Sequence, residues 1–475
     1  MRAYQDLREF LSVLEQEQQL LRITGQVTLE PDLGAAACAL ARIGERSPAI
    51  HFNDIAGYDD ARVVMNVHGS WLNHALALGL DKETSPRDQF LAFVDGYQKY
   101  PGEVERVTGA PWQEVVVDKD INLYDLIPLF RLNRGDGGYF LDKPCVVSRD
   151  PDDWDNDDVE NAGVYRLQVK GRNRLGIQTV PQHDIAVQLA HAEARGEDLP
   201  VAIALGNEPL ITLMAATPML YDQLEYKMAG AMQGKPYRTV KTEKGLDVPW
   251  GAEYVLEGRI LAGRREIEGP FGEFPGYYSG CHQYPVIEID RVSHRRDPIY
   301  DAVYVGRPWT EIDYLQAMTT SAPIFAQLHD TFPEVVAVNA LYTHGLAVVI
   351  ATKTRYGGFA KAVGMRLLAT PHGLGYAKII IIVDHDVDPF DLKQVMWAMS
   401  VKVNPAADVV IVPNLSVNLL DPAGQPTGIV HKMIIDATTP IAPDVRGNYG
   451  EELDTPDGTD VWHAKLTELI ANLAK

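Results

Sequence analysis

Positive charge is what this chain most lacks. Its 43 Lys and Arg stand against 65 Asp and Glu, a formal net charge of -22. Nucleic acid and anionic membranes both demand basic surface, so neither is an expected partner. Cysteine is nearly missing as well. Cys38, Cys145 and Cys281 are scattered with no CxxC, which implies neither a zinc ribbon nor a disulfide framework. Apolar runs such as Ile379 to Val383 have the length of a buried strand, far short of a membrane span. The N-terminus offers no apolar signal core: Leu7, Phe10, Leu11 and Leu14 recur at helical spacing among charges. The expectation is a cytoplasmic protein. There is no Walker A, HExxH or GxSxG sequence, no low-complexity tract and no internal repeat.

What is present is a long globular composition. At 475 residues and 46% hydrophobic content, two or three domains are expected. Residues 1–112 mix helical patterns, as in DLGAAACALARIG, with short apolar runs such as ARVVMNV, and read as an α/β domain. Residues 113–312 change character. Short strand-like runs (GVYRLQVKG, LPVAIALG, EYVLEGRILAG, YPVIEIDRVSH, IYDAVYVG) alternate with Gly, Pro and Asp turns, which predicts a β-rich barrel or sandwich. One helix, DIAVQLAHAEARG, interrupts it. Residues 313–455 alternate buried strands (GLAVVIATK, AKIIIIVD, ADVVIVP) with helices, the pattern of a largely parallel sheet. Residues 456–475 read as a capped amphipathic helix that could pack on a partner subunit.

Three suggestive stretches have bland readings. The acidic run Asp152 to Glu160 has Asp158 and Val164 where an EF-hand needs Gly and Glu, so it reads as a solvated loop. The DHDVD stretch, Asp384 to Asp388, reads as the cap of the helix that follows. HGLGYAK, His372 to Lys378, precedes a strand and lacks the third glycine of a dinucleotide fingerprint.

The stretch EIEGPFGEFPGYYSG, Glu266 to Gly280, is different. Glu268 and Glu273 flank a Gly-Pro-Phe-Gly turn that cannot be helix interior. An acid/base site would use such a turn to hold one carboxylate near another group and away from water. Upstream, Asn161 lies five residues before Arg166, and an arginine inside a β-rich core usually pairs with a carboxylate or phosphate. Gln182 and His183 sit at a helix start, and Glu225 shares a helical stretch with apolar residues. Asn161, His183 and Glu225 together make an N/O ligand set suited to Mn²⁺ or a similar ion. Taken singly, His183 caps a helix, Glu225 is a solvated helix residue and Asn161 is a turn residue.

The ordered motifs N-x-x-x-x-R, Q-H, E-x-x-M-A-G-A and E-G-P-x-G-E, together with VDHDVDPFDLKQVMWAMSVKVNP and DATTP, resemble the UbiD-like decarboxylases that use prenylated FMN. PWTEIDYL, LYTHGL and RYGGFAKAVG are similar to the branch acting on 4-hydroxybenzoate or vanillate. The resemblance covers essentially the whole chain. It implies an N-terminal α/β domain, a central split β-barrel that binds flavin, and a C-terminal α/β domain with a terminal helix. It implies that Asn161, His183 and Glu225 hold Mn²⁺ or a similar ion bridged to the cofactor phosphate. Val164, Tyr165, Arg166, Gln182 and His183 would line the flavin. A K⁺ would sit near Met214 to Met219, and Lys378 is a candidate at the phosphate. Arg166, Glu268 and Glu273 would form the catalytic network, with Glu273 as proton donor. Lys353, His344 and Asn418 are candidates for the ring pocket. The resemblance further implies a flavin prenyltransferase as cofactor supplier, a small accessory subunit and a homo-oligomer, dimer or hexamer. Competing readings are the same scaffold acting on a cinnamate, catecholic or heteroaromatic acid, a metal-dependent hydrolase, and a flavin-binding scaffold without catalysis.

Overall fold

The computed structural model describes residues 3–473, apart from 182, 308, 343, 344, 445–452 and 454. Its first helix, Leu7–Gln16, begins where Asp6 accepts a hydrogen bond from the Glu9 amide. It buries Leu7, Phe10, Leu11 and Leu14, the face expected from their spacing. The N-terminal sheet runs in the order Leu20–Ile23, Ala49–Phe52, Arg62–Met65, Ile299–Ala302. Its last strand lies more than 230 residues beyond its neighbour in sequence and pairs with it in parallel. That strand reads in sequence with the middle region, because periodicity reports which face is buried and says nothing about the partner.

The middle of the chain forms a nine-stranded sheet. Every pairing in it is antiparallel. Its backbone is the long pair Tyr254–Glu268 and His282–His294, whose register shifts between Glu257 and Gly258 and again between Ile260 and Arg265. Such irregularities bend and twist a ladder, so the sheet curls into a half-barrel. Gly258 is required at the first shift, because a Cβ there would meet the Glu288 carbonyl oxygen at 2.2 Å. The curl buries Val146, Val147, Ile203, Leu256 and Ile287 completely.

The C-terminal sheet orders its strands Val335–Tyr342, Ala347–Thr352, Ile379–Asp384, Ile429–Ala437, Val409–Ser416. The two central pairings are parallel and the two outer ones antiparallel. The expectation of a largely parallel sheet therefore holds only for its centre, where strands are buried on both faces. Helix Leu392–Lys402 starts later than expected, capped by Asp391, while Asp384 accepts hydrogen bonds from Lys402 and Thr439. The acidic loop after Asp150 is paired and not merely solvated: Asp157 meets Arg106 and Arg149, and Asp158 meets Lys227. The terminal helix Thr459–Leu473 exposes Val461, Trp462 and Ile470. Among the described residues no helix is long and apolar enough to cross a membrane.

The N-terminal sheet, the half-barrel and the helix Glu311–His329 are tied together by a buried ionic junction. Lys143 Nζ lies 2.9 Å from Asp301 and 3.0 Å from Glu311, with all three side chains essentially inaccessible. Glu311 also accepts the amides of Asn66 and His68 at 2.7 and 3.0 Å. Burial would raise the Glu311 carboxyl, but Lys143 and His68 outweigh it and hold it at about 2. Helix Glu311–His329 is thereby anchored to the N-terminal sheet and to the start of the half-barrel. Removing the cation strands two buried carboxylates, which typically costs about 3–5 kcal/mol. Lys143→Met should lower the urea midpoint of unfolding accordingly at neutral pH; an unchanged midpoint would show that the junction carries no net stability.

Candidate active site

Arg166 lies just past the strand Glu160–Val164, where the chain leaves one edge of the half-barrel to rejoin it at Leu167–Val169. Its guanidinium makes a two-pronged contact with Glu268: Nε donates to Oε1 at 2.9 Å and Nη2 to Oε2 at 2.7 Å. Its remaining Nη1 donates to Glu273 Oε1. The ring of Phe271 lies 5.4 Å from the guanidinium carbon and closes the third side. Arg166, Glu268 and Glu273 are all buried. The expected trio is thus assembled in space from residues 102 and 107 positions apart in sequence.

The turn between the two acids explains how this happens. Glu268 ends the strand Tyr254–Glu268, opposite His282. Gly269 follows at φ +96°, and a Cβ there would meet the Gly280 carbonyl oxygen at 2.6 Å, so only glycine fits. Phe271 and Ser279 exchange hydrogen bonds at 2.8 and 3.1 Å. The Glu273 amide donates to Tyr277 O and its carbonyl accepts from Gly276, which pins the carboxylate's own backbone. Two residues that the sequence reading passed over hold the turn from outside. Asp136 accepts from the Gly272 and Asn133 amides, both at 2.8 Å. Gln168 accepts from Gly269 N at 3.2 Å and donates to Gly137 O at 3.1 Å. A lone aspartate among glycines, RGDGG, was the available signal for Asp136.

Burial drives the Glu273 carboxyl above its ordinary range, the Arg166 charge and hydrogen bond oppose it, and Glu268 adds to the rise. The net displacement is upward. Glu273 is therefore a carboxyl whose neutral form is favoured relative to water, fixed by a hydrogen bond to a permanent cation. That combination suits an acid that gives up a proton and regains it.

A second polar cluster lies nearby in sequence. Glu225 opens the helix Glu225–Gln233, and its Oε2 accepts the Ala162 amide at 3.0 Å. Burial pushes its carboxyl up to about 8. His183 precedes the helix Asp184–Arg195; burial lowers it to about 4, so the imidazole is neutral, and its buried Nδ1 has no hydrogen-bond partner among the described residues. Asn161 and the Tyr165 hydroxyl are within 3.3–3.4 Å, and the Tyr165 ring meets His183 edge-on at 5.2 Å. Asn161, Glu225 and His183 are thus connected through Ala162 and Tyr165. Asp184, absent from the sequence reading, adds a carboxyl that burial raises to about 6. The buried Glu225 carboxyl, the half-buried Asp184 carboxyl and the neutral His183 imidazole are donor types that suit a hard divalent cation.

The other sequence candidates distribute as follows. Val164 faces Cys145 across the ladder. Gln182 and His344 lie outside the described residues. Lys378 pairs with Asp421 at 2.6 Å in the C-terminal sheet. Asn418 hydrogen-bonds to Tyr376, whose phenol is close enough to Glu273 to feel its charge. Lys353 is exposed. Thr217, within Met214 to Met219, donates its hydroxyl to Leu213 O at 2.9 Å. Separately, Asp150, Asp152 and His191 bring ligand atoms within 4.8 Å of one another, but Tyr221 and Arg195 already bind the two aspartates.

Comparison with known proteins agrees with this geometry. The chain matches the 3-octaprenyl-4-hydroxybenzoate carboxy-lyase N-terminal domain over residues 11–92, its Rift-related domain over 104–308 and its C-terminal domain over 313–437. It is 59% identical over 470 residues to a phenolic acid decarboxylase of Bacillus subtilis, covering 98% of this chain and 99% of the relative. It superposes on the closed form of Sedimentibacter hydroxybenzoicus vanillic acid decarboxylase with a TM-score of 0.92 at 52% identity, covering 99% and 100% of the two chains. It superposes on an evolved dimeric form of the UbiD-class enzyme HmfF from Pelotomaculum thermopropionicum in complex with prFMN, with a TM-score of 0.81 at 29% identity, covering 96% and 98%.

The hydrogen bonds to Asp136 yield a direct expectation. Each lost bond to a buried charged acceptor leaves an amide unsatisfied, at about 1–3 kcal/mol. In Asp136→Ala the Gly272 and Asn133 amides should exchange with solvent at least about tenfold faster, while amides of the flanking strands keep their protection. Unchanged exchange at both positions would mean that Asp136 does not hold the turn.

Proposed function

We propose, for a chain that belongs to the UbiD family of decarboxylases, the reversible non-oxidative decarboxylation of a para-hydroxylated benzoic acid, 4-hydroxybenzoate or vanillate, to the phenol and CO₂. The observation that carries this reading is the single buried guanidinium of Arg166 shared by Glu268 and Glu273. The names of the relatives, phenolic acid and vanillic acid decarboxylases, support the substrate class.

Prenylated FMN is the cofactor of this reading, supported by the prFMN bound to the related HmfF enzyme. Asn161, Val164, Tyr165, Arg166, Gln182, His183 and Glu225 would hold it. Asn161, His183 and Glu225 would carry Mn²⁺ or a similar ion against its phosphate, and a K⁺ would lie near Met214 to Met219. When bound, such a flavin supplies the electron sink for the pair left behind as CO₂ departs.

The chain's own residues supply the proton and its placement. Glu273, whose neutral form burial favours, donates to the ring carbon that carried the carboxylate. Its negative form is then held by the Arg166 guanidinium until it takes up a proton again. Glu268 occupies the other edge of the guanidinium with two hydrogen bonds, so Arg166 has one direction left in which to act. Burial of the Glu273 side chain limits its contact with bulk solvent. A flavin prenyltransferase as cofactor supplier, a small accessory subunit and a homo-oligomeric assembly complete this reading.

Two outcomes test it. Glu225→Ala removes a buried carboxylate from the cation set, so the phosphate of the cofactor would face an uncompensated site. The purified variant should lack both metal and flavin absorbance; full flavin occupancy would refute the ligand assignment. Glu273→Gln keeps shape and hydrogen bonding but carries no transferable proton. Its kcat should fall by about 10²–10⁴ with flavin content intact. In the wild type the acid is active only while protonated, so kcat should decline as pH rises through a pKa above the ordinary carboxylate value. That limb should vanish in Glu273→Gln; a near-normal kcat there would falsify the donor role.

A further inference from the structure

A cleft of about 480 Å³ opens on the side of Glu273 that faces the N-terminal sheet. Helix Gly34–Ile43 contributes Cys38 and Arg42, the catalytic turn contributes Glu273 and Tyr278, and the chain after Ile299–Ala302 contributes Tyr304 and Arg307. Glu273 is the sole acid in this lining, against two arginines. Among the described residues neither Arg42 nor Arg307 has an ion-pair partner. Both are exposed, at the outer end of the cleft, whereas Glu273 is buried at its inner end. Arg307 is held against the turn: a Cβ on Gly276, at φ +82°, would meet the arginine's Cα at 3.1 Å. The Tyr278 hydroxyl accepts the Gly135 amide at 2.9 Å, so that ring is fixed as well.

The arrangement answers a problem set by composition. An aromatic carboxylate is an anion approaching a protein of net charge -22. Long-range repulsion slows that encounter unless a local positive mouth offsets it. Two unpaired arginines beside fixed aromatic rings provide the charge for the carboxylate and faces for the ring. The volume lies in the range of small-molecule sites. Resting on the function proposed above, we propose that this cleft is the vestibule through which the aromatic carboxylate reaches Glu273, gathered by Arg42 and Arg307.

Cys38 makes the vestibule measurable without turnover. Cys281 is exposed and Cys145 buried, so in a Cys281→Ser background N-ethylmaleimide labelling of the holoenzyme reports Cys38. With 4-hydroxybenzoate as probe, labelling should slow several-fold at low salt, and the protection should fade in high salt and in Arg42→Glu/Arg307→Glu. In steady state the double variant should lose roughly tenfold in kcat/KM, mostly through KM, and its salt dependence should reverse, because salt then screens repulsion. Arg366→Glu, an exposed charge reversal on helix Phe359–Leu368, serves as the control and should match the wild type. Decarboxylation without Cys38 protection, or a double variant that behaves like Arg366→Glu, overturns the vestibule and leaves the proposed function standing. Protection of Cys38 in a holoenzyme that decarboxylates no hydroxybenzoate supports the vestibule and overturns the function instead.

Discussion

One guanidinium with two carboxylates, out of water, is the constraint on which the rest depends. An arginine in that position cannot shed its charge, and one acid alone would pair with it as a closed ion pair. The second acid makes the site unbalanced. Glu268 takes two of the guanidinium's donors and Glu273 takes another, so the trio carries one more potential negative charge than positive. Burial and the second acid both displace the Glu273 carboxyl toward its protonated form, against the pull of Arg166. The protonation states of the pair are coupled through Arg166, and the site's pH behaviour belongs to the trio.

Such an arrangement exists only if the scaffold supplies the cost of dehydrating three ionisable groups. The half-barrel does this by placing Glu268 at the end of a rigid antiparallel ladder, holding Arg166 between two strands, and bringing Glu273 in on a turn with almost no freedom. Gly269, Asp136, Gln168 and Ser279 each remove one way in which the turn could relax. The same logic recurs at the buried ionic junction, where Lys143 sits between Asp301 and Glu311. There too one cation faces two carboxylates, and burial raises the Asp301 carboxyl to about 7. The Arg166 trio differs in its approach, since Glu273 lines a cleft of about 480 Å³.

Much of this was legible in the sequence where chemistry is local. The Pro/Gly turn between Glu268 and Glu273, the short strands of the half-barrel and the first helix follow from residue spacing and backbone preference. The motif order carried the family and, with it, the pairing of Arg166 with both acids. What stayed hidden was long-range. Ile299–Ala302 joins a sheet begun more than 230 residues earlier, and nothing in its own alternation names that partner. The antiparallel outer strands of the C-terminal sheet look like the parallel inner ones, since both are short and apolar. Asp136 and Gln168 are ordinary polar residues until the fold brings them to the turn. The site was found through its chemistry; its supports could be seen only in space.

The central claim is that Glu273 moves a proton to and from a ring carbon. Exchange on the product tests that step apart from CO₂ loss. Holoenzyme should be incubated with the product phenol in D₂O, free of bicarbonate, and the deuterium at the carbon para to the hydroxyl followed by NMR. The account predicts steady exchange at that carbon in the wild type and its near disappearance in Glu273→Gln with flavin content unchanged. Undiminished exchange in Glu273→Gln would contradict it and assign the proton to water or to another residue.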